Sequence, residues 1–124
     1  MNEIALGFGA GFGGLAAIFG AFGAHALKKR FSPELQQSFE TGVRYQMSHS
    51  LVLLVLGLSL ELDSNIEKGI IYLFILGIVL FSFSIYGLCL SSARGRKLKM
   101  LGPVTPLGGL LLTAGWVCLL VLFL

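Results

Sequence analysis

Two histidines and a few neutral polar side chains are the residues of this sequence that could support chemistry. His25 and His49 are its only histidines. A histidine within an apolar segment can carry a proton, bind a ligand or hydrogen-bond to a neighbouring helix. Other polar residues are predicted to lie at a similar depth in the structure. They are Gln46, Ser84, Tyr86 and Thr105. Together these six residues form a candidate polar pocket. The structural alternative is that His49 makes a hydrogen bond between helices and that His25 has a packing or capping role at the interface.

The acidic residues are not expected to join this pocket. They are predicted to lie in loops or at interfaces: Glu3, Glu34, Glu40, Glu61, Asp63 and Glu67. No nucleophile–histidine–acid triad and no phosphate-binding glycine loop can be recognised, so the sequence predicts neither an enzyme nor a cofactor. Two histidines are too few to predict a metal site. Cys89 and Cys118 are expected at different depths, as free thiols.

The composition indicates that these residues are positioned by membrane-spanning helices. Of the 124 residues, 56% are hydrophobic and only 12% are charged, which is too apolar for the surface of a soluble domain. A helical span needs about 20 apolar residues. Uncharged runs of that length occur at 4–24, 69–93 and 100–124. A shorter run at 45–60 is counted as a fourth span, although it contains His49.

The predicted fold is an all-α membrane four-helix bundle with an interfacial amphipathic segment before helix 2. Ser32 and Pro33 have the residue types of a helix N-cap and first turn. Leu35, Phe39 and Val43 then recur every fourth residue on one face. This segment is either continuous with helix 2 or bent away from it. The predicted bounds within the single domain are 3–25, 33–62, 66–92 and 104–124.

The first helix is predicted to remain part of the protein. The small residues at 24 and 26 would suit a signal peptidase, but Glu3 and the absence of a basic residue before the apolar run favour an uncleaved helix. Gly9, Gly13, Ala17 and Ala21 recur at every fourth position. Such a stripe allows close helix packing, either within the bundle or between protomers of a homo-oligomer. His25 continues the stripe and is expected to face inward with His49.

The basic residues predict an orientation. Four lie between helices 1 and 2, one between helices 2 and 3, and four between helices 3 and 4. They are Lys28, Lys29, Arg30, Arg44, Lys68, Arg94, Arg96, Lys97 and Lys99. The positive-inside rule then places both termini outside a bacterial inner membrane. Basic residues in short loops between spans meet lipid headgroups, so we expect contact with the bilayer and none with nucleic acid.

Several motifs resemble one family over almost the whole chain. They are Gly-Ala-Phe-Gly-Ala-His-Ala-Leu at 20–27, Thr-Gly-Val-Arg-Tyr-Gln-Met-Ser-His at 41–49, Gly-Pro-Val-Thr-Pro-Leu-Gly-Gly at 102–109 and Ala-Gly-Trp at 114–116. The sequence is similar to the small integral membrane proteins of the YwdK/YgdD type, which form domain-of-unknown-function family 423. The resemblance implies a four-helix membrane protein. It implies no activity and no established site residues.

Two functional hypotheses follow. The first is a binding or assembly module for a membrane partner or an anionic phospholipid, whose headgroup would contact the start of helix 4 and the loop before it. The basic residues of that loop are Arg94, Arg96, Lys97 and Lys99. The alternative is a small transporter or channel component in which His25, Gln46 and His49 line a cytoplasm-facing pocket. Because no acidic residue is predicted at mid-membrane, the first hypothesis is preferred.

Overall fold

The computed structural model describes all 124 residues, and it contains four long helices and no strand. These are α1 (Asn2–His25), α2 (Pro33–Ser59), α3 (Asn65–Ala93) and α4 (Val104–Phe123). A π-helical turn, Val79–Phe83, interrupts α3, and a short 3-10 turn, Lys99–Leu101, precedes α4. The prediction of an all-α four-helix architecture is confirmed. The observed helix bounds lie within three residues of the predicted ones.

Helix α2 begins where its sequence predicts and then continues without a break. The Ser32 hydroxyl accepts a hydrogen bond from the Leu35 backbone N–H at 3.2 Å, and Pro33 occupies the first turn, where its missing N–H costs little. The amphipathic segment is therefore the first part of helix 2 and not a separate helix. Helix α3 begins with a capping box between Ser64 and Glu67.

Three helices, α1, α3 and α4, are long and apolar enough to cross a membrane. Helix α2 does not meet that criterion by composition, but it pairs with α1 along the length of α1. The Asn2 side chain donates to the carbonyls of Gly57 and Leu60 at one end. At the other end, the Gln36 side chain donates to the carbonyl of Gly23. Helix α2 therefore covers the same thickness as α1.

The helices pack antiparallel and in sequence order, α1 on α2, α2 on α3 and α3 on α4. This order places loops 26–32 and 94–103 at one end of the bundle, which we call the basic end. These two loops contain seven of the nine Lys and Arg residues and no carboxylate. Both chain termini and loop 60–64 lie at the opposite end.

Polar residues lie inside the bundle and apolar residues cover much of its outside. Gln46, Ser50 and Ser82 are completely buried, whereas Leu110 and Leu120 of α4 are 66% and 61% exposed. This distribution suits a protein that is surrounded by lipid, since polar groups in a bilayer favour the bundle interior.

Small residues of α1 do pack against α2, but only part of the predicted stripe takes part in this contact. A Cβ at Gly9 would lie 2.9 Å from the Leu54 side chain, and one at Gly13 would lie 3.3 Å from the Ser50 hydroxyl. Gly9 and Gly13 therefore make contacts within the chain. Ala17 and Ala21 are instead exposed.

The same geometry explains why the expectation for His25 is wrong. The side chain of His25 is exposed at the end of α1. A step of four residues turns an α-helix by about 400°, so each step moves a residue about 40° around the axis. Four such steps from Gly9 carry His25 about 160° away, almost to the opposite side. The buried small residues follow the 3.6-residue period more closely, at Ala5, Gly9, Ala16 and Gly23.

Candidate functional site

The six residues of the predicted polar pocket do not form one pocket. Apart from the exposed His25, they lie between the helices, and four of them are buried and Thr105 half-buried. They form three separate hydrogen-bonded pairs, one of which includes a residue that was not predicted. The pairs are Gln46 with Tyr86, His49 with Trp116, and Ser84 with Thr105.

Gln46 connects three helices through one side chain. Its Nε2 donates to the backbone carbonyl of Phe12 in α1 at 2.8 Å. Its Oε1 accepts a hydrogen bond from the Tyr86 hydroxyl of α3 at 2.6 Å. Both polar ends of a completely buried amide are therefore occupied, which is the arrangement that makes its burial tolerable.

His49 connects α2 to α4. The indole N–H of Trp116 donates to His49 Nε2 at 3.0 Å, and His49 Nδ1 lies 2.8 Å from the Tyr45 carbonyl. An indole can only donate and a carbonyl can only accept. The geometry thus assigns the neutral imidazole with its proton on Nδ1. Both ring nitrogens are committed to partners within the protein.

Trp116 is the site residue that sequence reasoning missed. It is the only tryptophan in the chain, and its place in the Ala-Gly-Trp motif was recognised only as a family feature. The available signal was its indole N–H, because a tryptophan in an apolar segment needs a hydrogen-bond acceptor.

Ser84 connects α3 to α4 just after the π-helical turn. Its hydroxyl donates to the Phe81 carbonyl at 2.8 Å. Thr105 Oγ1 lies 2.5 Å from Ser84 Oγ, and since the Ser84 proton is already used, Thr105 is the donor. A further buried hydroxyl, Ser82, donates to the Gly42 carbonyl of α2 at 2.7 Å.

We refer to Gln46, His49, Ser84, Tyr86 and Trp116 as the interhelical polar residues. They bond to each other, to Thr105, or to backbone carbonyls of their own helix or of a neighbouring one. No group of three or more His, Cys, Asp or Glu side chains is arranged to hold a metal ion. Both cysteines are free, as expected. The interhelical polar residues therefore connect the helices to one another.

Cavities also open near the basic loops. One cavity, of about 470 Å³, lies between α2, α3 and the start of α4, and Thr105 and Lys97 are among its lining residues. A second, of about 620 Å³, is lined by Arg94 and Arg96. Lys99 is exposed in the 3-10 turn. Arg94, Arg96 and Lys97 thus line these clefts, whereas Lys99 lines neither of them.

Comparison with known proteins identifies a matching family and several relatives of this chain. Residues 19–109 match the family model described as a protein of unknown function (DUF423). A UPF0382 membrane protein of Staphylococcus haemolyticus is 39% identical, over 82% of this chain and 80% of its own length. One from the fission yeast Schizosaccharomyces pombe is 40% identical, over 86% and 90%. The UPF0382 membrane protein YwdK of Bacillus subtilis is 37% identical, over 86% and 85%. No solved structure matches the chain.

The apolar helices, with polar residues connecting them, define the chain as a helical membrane protein, in agreement with the names of these relatives. More particularly, the chain belongs to the DUF423 family, as its motifs predicted. That family is one of uncharacterised membrane proteins, and the names of these relatives include no enzymatic activity.

Proposed function

We propose that this protein is a four-span binding module of the bacterial inner membrane that retains anionic phospholipid at its basic end. The observation that carries the proposal is the contrast between the two sets of polar groups. The polar groups of the interior are bonded to one another, whereas the positive charges are gathered in loops beside open clefts. The module itself is proposed to have no catalytic role.

The alternative, a transporter or channel component, needs a polar path that is open to water. The residues that would line it are His25, Gln46 and His49. Gln46 is completely buried with both ends of its amide bonded, and both nitrogens of His49 are engaged. His25 lies on the exposed side of α1. These placements favour a binding role for the single chain over conduction.

Electrostatics support anionic lipid as the ligand. Each Lys or Arg near an anionic membrane surface contributes about 1 kcal/mol of attraction. The two loops of the basic end contain seven such residues and no carboxylate to offset them. The positive-inside rule places these loops in the cytoplasm, and hence both termini and loop 60–64 outside.

Native mass spectrometry of the protein released from mild detergent tests the proposal. The protein would first be equilibrated with equal amounts of phosphatidylglycerol and phosphatidylcholine. We expect the anionic lipid to be retained in clear excess, and neutralising Lys68 at the opposite end (Lys68→Gln) to leave the excess unchanged. The same spectra report the number of protomers. Equal retention of the two lipids by the wild-type protein would contradict the proposal.

A further inference from the structure

The contact between α1 and α3 differs from the other helix contacts at the basic end. Glycines bring α1 close to α2 and α3 close to α4, for example at Gly23 and Gly108. Between α1 and α3 the contact is made by aromatic rings, with the ring centroids of Phe19 and Tyr86 5.0 Å apart. Because rings and not backbones meet, a groove remains between the two helices on their outer side.

The inner part of this groove is entirely apolar. It encloses about 280 Å³, with Phe39 and Tyr86 among its lining residues and Ile18, Phe22 and Leu90 around them. The last three side chains are 53%, 56% and 39% exposed. Along α3 the groove and its mouth extend from Tyr86 to Ala93, about 10 Å at 1.5 Å per residue. One leaflet of the hydrocarbon core is about 15 Å thick, so the groove reaches from its charged mouth part of the way into one leaflet.

The mouth of the groove carries two arginines. A cavity of about 290 Å³ adjoins the apolar one and shares Leu27 and Leu90 with it. Its charged lining residues are Arg30, from the loop after α1, and Arg94, which directly follows α3. Guanidinium groups bind phosphate through two parallel hydrogen bonds, which the point charge of a lysine does not provide.

We propose that this α1–α3 groove is a site for one anionic phospholipid, with an acyl chain along Phe22 and Leu90 and the phosphate between Arg30 and Arg94. The proposal rests on the proposed function and adds the position and chemistry of the site. An anionic phospholipid is chosen as the occupant because of the positive charge at the mouth and the depth of the apolar part in the membrane. The apolar part lies beside the membrane-spanning parts of α1 and α3, and the paired positive charges lie where those helices end.

Two charge variants with equal loss of charge test the headgroup contact, using the same lipid mixture and native mass spectrometry. Arg30→Gln with Arg94→Gln should lower the retained phosphatidylglycerol on the order of ten-fold, because two close cation contacts are lost. The control variant, Lys97→Gln with Lys99→Gln, removes the same charge outside the groove. It should retain most of the phosphatidylglycerol. Equal losses in both variants would overturn the assignment of the groove as the lipid site and leave the proposed function in place. No preference for phosphatidylglycerol in the wild-type protein would overturn both.

A third variant tests the acyl chain contact without changing charge. Leu90→Trp fills the groove at one of the two residues that its cavities share. It should lower lipid retention with both arginines intact, whereas Leu120→Trp on the exposed face of α4 should not. The thermal stability of each variant in detergent shows that the bundle is still folded. Wild-type retention by a folded Leu90→Trp protein would overturn the chain-binding part of the proposal.

Discussion

The hydrogen bond from Trp116 to His49 joins α2 to α4 through two side chains in the membrane interior. Hydrogen bonds of this kind contribute on average about 0.6 kcal/mol and at most about 1.7 kcal/mol in a membrane protein. We expect Trp116→Phe to lower the stability in detergent by this amount or somewhat more, since the smaller ring also fills less space. Thermal unfolding of the wild type and the variant in the same detergent measures this loss of stability.

A double-mutant cycle separates this bond from the loss of packing. His49→Leu, Trp116→Phe and the combined variant are compared with the wild type. If the bond exists, the double variant will be less destabilised than the sum of the single ones. Additive effects would show that the two side chains do not interact.

The Tyr86 hydroxyl provides a second residue-scale prediction with a matched control. Tyr86→Phe removes the donor to Gln46 Oε1 and leaves a buried acceptor without a partner, which costs on the order of 1 kcal/mol or more. Tyr45→Phe makes the same chemical change on a side chain that is 43% exposed. The first variant should unfold at a lower temperature than the second. Equal unfolding temperatures would contradict the role given to Gln46.

At the residue scale the sequence predicted four of the buried polar side chains, but it was wrong for His25 and did not show how the others pair. Polar residues within apolar segments avoid lipid, which is sufficient to place Gln46, His49, Ser84 and Tyr86 in the interior. Their partners depend on the relative rotation and height of the helices, and no single segment encodes these. For the same reason, the indole N–H of Trp116 indicates that an acceptor is needed but not that His49 provides it.

At the scale of elements, helix bounds followed directly from the sequence because caps and charges are local signals. Rotation about the α1 axis was harder to predict, since a four-residue repeat of small residues drifts away from the 3.6-residue helical period. The π-helical turn at Val79–Phe83 had no visible signal, because its apolar sequence is also compatible with an ordinary helix. It appears where the backbone of α3 meets Gly108 of α4.

This meeting point gives a prediction for two adjacent glycines. A Cβ at Gly108 would lie 2.6 Å from the Leu80 carbonyl carbon and 2.7 Å from Phe81 Cα, so backbone atoms would have to move. A Cβ at Gly109 would lie 3.7 Å from the Phe81 ring, at ordinary contact distance. Gly108→Ala should therefore cost about 1–3 kcal/mol. Gly109→Ala should be neutral or stabilising, because alanine favours the helix by about 1 kcal/mol over glycine.

The stability of both variants in the same detergent checks this prediction. Their order is the informative result, since both replacements add one methyl group to the same turn of α4. A Gly109→Ala protein less stable than Gly108→Ala would contradict the described contact between α3 and α4.

At the scale of the whole molecule, the number of helices was predictable even though α2 is a weak span by composition. Removing it would have placed the two basic loops on opposite sides of the membrane, and its pairing with α1 agrees with a fourth crossing. The open clefts were not predictable. They depend on which helix contacts are made by glycines and which by aromatic rings, as at Gly23 and Phe19.

The last prediction is the orientation of the whole molecule, and it follows from the asymmetry between its ends. Seven basic residues occupy the loops of the basic end, and the positive-inside rule therefore places this end in the cytoplasm. Two exposed positions report the two sides without removing a basic residue: Asp63 in loop 60–64 and Leu98 in loop 94–103. Each is replaced singly, as Asp63→Cys or Leu98→Cys, in a background with Cys89→Ala and Cys118→Ala.

A membrane-impermeant maleimide is applied to intact cells, after permeabilising the outer membrane if the cells have one. It should label the Asp63→Cys protein at once. The Leu98→Cys protein should react only after the inner membrane is opened. Labelling of both proteins in opened membranes is the control for folding and reactivity. The reverse pattern would place the basic end outside, and the proposed cytoplasmic headgroup site would then face the wrong leaflet. Labelling of both positions before opening would contradict the span assignment, because an odd number of helices separates loop 60–64 from loop 94–103.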